Sequence, residues 1–181
     1  GGLDEPGANI VYDTGGTIAG GTSNRVGTDD ADPGDATYAT VCGGDNNLAR
    51  ARGAAVSGGA WNRADGVGAS VGGGEANVAL GDYATVGGGG PIDFFQAVVG
   101  NYATNDYATV AGGGQNEARG LYATVPGGAR NLAEGDHSFA AGNRAKASQD
   151  GCFVWGDSTD SDVVCGTDDE FVVRASGGVY L

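Results

Sequence analysis

A spacing of 15 residues constrains this chain more than any other feature. Val41, Val56, Val71 and Val86 stand 15 apart; after an interruption the series resumes at Val110, Val125 and Ala140, then reaches Val154 after 14. Ile18 starts the series, which gives nine copies of a unit reading roughly Tyr-Ala-Thr-Val, a small residue, Gly-Gly, two variable residues, Asn-x-Ala, x-Gly. The Asn column is Asn47, Asn62, Asn77, Asn101, Asn116 and Asn131, with Asn24 ahead of it, and the Gly pairs recur at Gly43-Gly44, Gly58-Gly59, Gly73-Gly74, Gly112-Gly113 and Gly127-Gly128. A fixed period of this kind marks a repeat architecture in which each unit buries its apolar face only against its neighbours.

A helix does not fit such a unit, because adjacent glycines would break it every turn or two. Short strands do. Tyr-Ala-Thr-Val and Asn-x-Ala are predicted as strands, with Gly where the backbone must turn at positive φ. Two strands and two turns close one coil, and stacking pairs each strand in parallel with its copy at about 4.8 Å per rung, so nine coils make a rod of about 40 Å. The predicted class is therefore all-β, a parallel β-roll or solenoid. The Val column (Val41, Val56, Val71, Val86, Val110, Val125) and the Asn column are its structural residues.

Alternation places Ala39 and Val41 on one face of their strand and Tyr38 and Thr40 on the other. The first face stays apolar along the rod at Ala54, Ala69, Ala84, Ala108 and Ala123, and is predicted to be buried. The second carries Tyr38, Tyr83, Tyr107 and Tyr122 with Thr40, Thr85, Thr109 and Thr124, then Phe139 and Phe153. A thin single-chain solenoid leaves that second face wet. An identical rod offers matching columns at a matching rise, so self-association is the economical way to cover it; the alternative is a monomer that keeps its amphipathic tyrosines outside.

The units YATV-x-GG-xx-N-x-A-x-G, closing with HSFAAGNRAKA at His137 to Ala147, resemble the head repeats of trimeric autotransporter adhesins, the YadA-like head. The resemblance covers roughly Ile18 to Asp157. It implies a left-handed parallel β-roll, an intertwined homotrimer and an extracellular, cell-surface role in adhesion. Similar repeats occur in phage tail-fibre shafts and in secreted bacterial proteins. The period here is mostly 15 where the family's commoner unit is 14, and no coiled-coil stalk or membrane anchor follows the repeats. The stretch from Phe153 onward leaves the repeat register and resembles a capping or neck segment. The expected organisation is an N-terminal cap or assembly segment over 1–17, a repeat domain over 18–157 with insertions at about 25–37 and 88–100, and a C-terminal cap or neck-like segment over 158–181. Strands from the two ends pairing across rods would instead give a head-to-tail filament.

Composition agrees with a repeat of small side chains. Gly contributes 38 of 181 residues without collagen's every-third spacing, and 40% hydrophobic against 18% charged residues argues against charge-driven disorder. A net charge of -14 repels phosphate backbones and anionic headgroups, so nucleic acid is not an expected partner. No run of about 18 apolar residues is present to span a membrane. The start at Gly1 and the lack of Met suggest a processed chain whose targeting signal is gone. Of three cysteines, Cys152 and Cys165 are spaced for a local disulfide, which implies an oxidising compartment; the alternative is three buried, inert thiols with Cys42.

Repeat proteins place binding on insertions. Nine extra residues lie between Val86 and Asn101 and include Pro91, Ile92, Asp93, Phe94 and Phe95, a candidate binding loop that either packs against a neighbouring chain or meets a ligand. Eight extra residues between Asn24 and Tyr38 carry Asp29, Asp30, Asp32 and Asp35, which with Asp157, Asp160 and Asp162 are candidate oxygen ligands for Ca²⁺. Neither cluster has EF-hand spacing, and a solvated acidic loop is the simpler reading. No catalytic residue or cofactor is expected. His137 occupies the Tyr column, and the Gly-Gly pairs lack the helix and Lys of a phosphate loop. The predicted function is a non-enzymatic extracellular fibre or adhesin head contacting a host, matrix or cell-surface ligand. Alternatives are a filament or phage-fibre subunit and an ice-binding solenoid, the last opposed by a Thr column broken at Ala55 and Ser70.

Overall fold

The computed structural model describes residues 7–30, 32, 34–92 and 99–179, and in it the repeat unit closes as one coil of a parallel β-solenoid. Each coil gives one strand to each of two sheets. The Val sheet runs from Thr17–Ile18 through Thr40–Val41 and its copies to Phe171–Arg174; the Ala sheet runs from Ile10–Val11 through Leu48–Ala49 and its copies to Val163–Val164. Ten strands follow one another along each sheet, all in parallel, and no helix forms among the described residues. The solenoid thus has about ten coils, one more than the nine copies counted in the sequence, and a length of about 45 Å at the usual strand spacing.

The register follows the columns. Val41 pairs with Val56 and Val56 with Val71, while Ala49 pairs with Ala64 and Ala64 with Ala79. The insertions are looped out without shifting it: Ile18 pairs with Val41 across the first and Val86 with Val110 across the second. Both ends extend the solenoid. Ile10 pairs with Arg25, and the segment after Phe153 rejoins as a further rung, with Val154 opposite Val172. Most strands are only two residues long, because a left-handed residue stands at each of two corners. One corner is the residue before the interior Asn (Asn46, φ 53°; Trp61, φ 57°); the other is the Tyr column (Tyr38, φ 64°; Tyr83, φ 58°). The tyrosines therefore occupy a corner rather than beginning the strand as the sequence reading had it. For a residue with a Cβ this conformation costs about 1–2 kcal/mol, and the coil keeps it because the corner amides stay in the ladder: Tyr83 N–H donates to the Val67 carbonyl at 2.8 Å and Tyr107 N–H to Asp82 at 2.9 Å.

Two sheets this close leave room only for small side chains. Ala39, Ala54, Ala69, Ala84, Ala108 and Ala123 form one interior column, the Val series a second, and Ala49, Ala64, Ala79, Ala103, Ala118 and Ala133 a third, all fully buried. The interior also contains seven fully or almost fully buried asparagines, Asn24 to Asn131. Asn62 shows the pattern. Its Oδ1 accepts the backbone N–H of Asn77 one coil on at 3.0 Å, and its Nδ2 donates to the carbonyls of Gly58 in its own coil and Gly74 in the next, both at 2.9 Å. The second glycine of each pair cannot be larger: Gly59 has φ +83° and Gly74 φ +82°, and a Cβ on either would run into the glycine carbonyl of the next coil.

The C-terminal rungs are fastened covalently. Cys152 stands in the first Ala column and Cys165 in the third; they are joined by a disulfide across the interior with Cα atoms 6.5 Å apart, and Cys42 is free and exposed. A polar clasp lies at the other end of the strand Phe153–Gly156. Arg174 Nε donates to Asp157 Oδ1 at 2.9 Å while its Nη atoms reach the Ser161 and Thr159 carbonyls at 2.7 and 2.9 Å.

Candidate interaction surfaces

The two outward faces differ in charge. On the Ala sheet the outward positions include Arg25, Arg63, Glu117 and Lys146, and two residues further along Arg50, Asp65, Arg119 and Glu134. These pair among themselves: Arg63 with Asp65 at 2.6 Å, Arg119 with Glu117, and Arg119 with Glu134 at 3.6 Å. On the Val sheet one outward column runs from Thr17 through Thr40, Ala55, Ser70, Thr85, Thr109 and Thr124 to Phe139, Phe153 and Phe171. The parallel column two residues on runs from Ala19 through Cys42, Ser57, Gly72, Gly87, Ala111 and Pro126 to Ala141, Trp155 and Val173. No position of either column is charged. The face changes from small residues to an aromatic end, where Phe139, Phe153 and Phe171 stack with centroids 4.5 and 4.8 Å apart. Phe171 is 70% exposed and Trp155 37%.

At the corner between the sheets, Tyr83, Tyr107, Tyr122 and His137 form a continuous stack, with centroid spacings of 5.4, 4.8 and 5.3 Å. Their ring faces cover one another. Beside them Asp82, Asp106, Asp136 and Asp150 each accept the N–H of a residue one coil earlier, Val67, Asp82, Leu121 and Asp136, all at 2.8 Å. The carboxylates of this corner thus act as backbone acceptors, a role the sequence reading did not give them; their recurrence just before the Tyr column was the available signal.

The two insertions leave opposite corners of the coil, the first ahead of a Val-sheet strand and the second ahead of an Ala-sheet strand. In the second, Pro91 is half-buried and Ile92 lies over Gly114, 42% exposed; Asp93, Phe94 and Phe95 lie outside the described residues. In the first, Thr28 Oγ1 donates to Asp30 at 2.8 Å and to Asp35 at 3.1 Å, Asp32 accepts the Gly34 N–H at 3.0 Å, and Asp29 is exposed. Asp13 is buried beneath this loop, and its burial, with Asp35 nearby, raises its carboxyl above the ordinary range. The other candidate carboxylates are engaged by arginines: Asp157 by Arg174, Asp162 by Arg144 at 2.8 Å, and Asp160 by Arg144 at 3.4 Å and Arg130 at 3.7 Å. Among the described residues no group of three His, Cys, Asp or Glu side chains gathers as metal ligands would.

With the fold and surfaces in hand, the chain is a repeat protein of the parallel β-solenoid class. No protein-family model matches it, and a search of curated proteins returns no match.

Proposed function

We propose that this protein is a non-enzymatic extracellular fibre or adhesin-head protein, a homotrimeric rod that holds its insertion loops out for contact with a host, matrix or cell-surface ligand. The observation that carries the reading is the division of labour along the rod. The inward and corner columns each have a structural task, in the core, the Asn ladder or the turns, and departures from the repeat are concentrated in the two looped-out insertions and the C-terminal end. The disulfide inside the last rungs supports an oxidising compartment, and the YadA-like pattern of the repeats supports the trimer and the adhesive role. Deleting Pro91 to Phe95 tests the binding arm: adhesion lost with the oligomer intact supports it, whereas unchanged adhesion to every surface tried removes that loop from the reading. Sedimentation of the intact chain tests the trimer, which a mass of 17.7 kDa at all concentrations refutes.

A further inference from the structure

We infer that the groove on the outer side of the Ala sheet, where the second insertion returns to the solenoid, binds an acidic sugar whose carboxylate is held by Lys146 and Arg130. The site deepens the ligand-contact part of the proposed function and rests on that part alone. The groove encloses about 460 Å³, within the roughly 300–1,000 Å³ of small-molecule sites. Its outward column is Glu117, Leu132 and Lys146 on three successive strands, and Val99, from the returning arm of the insertion, and the corner residue Arg130 also line it. In a chain of net charge -14, three of the nine Lys and Arg residues line this one groove, Arg119 being the third, against the single carboxylate of Glu117. Lys146 carries the assignment. Its Nζ donates to the Arg130 carbonyl at 2.7 Å, and among the described residues it enters no ion pair, whereas Arg119 is paired with Glu117 and Glu134. An ammonium has three N–H donors, and here two have no acceptor among the described residues. The side chain is half-buried, and desolvation lowers its pKa. A charge drawn partly out of water without a counter-ion is costly; a bound carboxylate supplies that counter-ion and accepts the two donors, with the Arg130 guanidinium beside it. The remaining lining suits a sugar ring: Leu132 and Val99 offer apolar surface to its C–H face, and Gln115 and Glu117 offer hydrogen bonds to its hydroxyls. A densely charged polyanion such as nucleic acid would meet the acidic surface around the groove.

Calorimetric titration of the full chain with trigalacturonate tests the site, with the fully methyl-esterified trisaccharide as the uncharged control. The wild-type chain, which needs no substitution, should bind the acid about tenfold or more tightly than the ester, since a hydrogen bond to a charged group is at stake. Lys146→Gln should weaken binding of the acid by a similar factor, while Arg25→Gln, on the same sheet but at the far end of the rod, should leave it unchanged. Melting followed by circular dichroism shows that each variant is folded. Failure of the wild type to bind the acid, equal binding of acid and ester, or equal loss in the two variants would each overturn the assignment. Inorganic phosphate competing as well as the trisaccharide would replace the sugar by a general anion site, and triglutamate binding more tightly than trigalacturonate would replace it by an acidic peptide. A chain that adheres to surfaces yet fails this titration loses the groove and keeps the fibre reading; one that binds the acid and adheres to nothing keeps the groove and loses the adhesive role.

Discussion

At the residue scale the interior asparagines do work that no apolar residue could. Each satisfies a backbone N–H and glycine carbonyls enclosed at a corner, and burying such groups unpaired costs about 1–3 kcal/mol apiece. Asn62→Ala leaves the Asn77 N–H and the Gly58 carbonyl without their partner, while the Gly74 carbonyl keeps the Ala60 N–H. It should lower the unfolding free energy by about 3 kcal/mol or more in a urea titration. Ser138 is the converse case. It stands in an Ala column between Ala123 and Cys152, fully buried, and its Oγ has no hydrogen-bond partner among the described residues. Ser138→Ala should therefore be neutral or stabilise by about 1 kcal/mol in the same titration. The Asn column was plain in the sequence, but its direction was not, because two-residue alternation cannot say where a polar residue beside a left-handed corner points. The Tyr column held a usable hint: Gly53, Gly68 and Gly151 replace Tyr there, and a column that exchanges Tyr for Gly marks a positive φ rather than a strand.

At the scale of elements, the last rungs differ from the rest in how they are held. The disulfide encloses a loop of 13 residues' separation, for which chain-entropy arguments give about 3 kcal/mol; the Cys152→Ala/Cys165→Ala variant should lose about that much relative to the oxidised protein. In the same rungs, the Ser176 N–H, the Thr159 hydroxyl and N–H, and Arg174 hold the Asp157 carboxyl well below its ordinary value of 3.8. A carboxyl lowered on folding adds stability that is complete above the unfolded value and disappears as pH falls through the folded one. The gap in melting temperature between wild type and Asp157→Asn should be widest near neutral pH and narrow steadily below pH 3.8. A gap that instead widened in acid would rule the clasp out. The rejoining of this segment to the solenoid was hidden in the sequence, because the step from Val154 to Val172 is longer than the period and Val and Phe stand where Ala and Thr had been.

At the scale of the whole molecule, stability is a sum over rungs and their neighbours. Removing one complete unit, residues 63–77, joins Asn62 to Val78 and keeps every column in phase. That deletion should leave a folded rod shorter by about 4.8 Å in solution scattering, whereas removing half a unit should unfold it. Period, parallel pairing and both insertions were legible because a column repeated along the chain averages out local ambiguity. The uncharged face was harder to see, since its second column is defined by what is missing rather than by a recurring residue. The Asn ladder also gives the rod an arrow. The Oδ1 of each asparagine receives the amide of a coil that comes later in the chain, and its Nδ2 reaches a glycine of that later coil. A finished coil therefore presents its acceptor before the next coil exists, so a chain emerging from a narrow exit can be laid down turn upon turn, like rope onto a drum. The laying-down changes character at Asn131, whose Oδ1 receives the amide of Ala145, a residue with nothing to offer its successor.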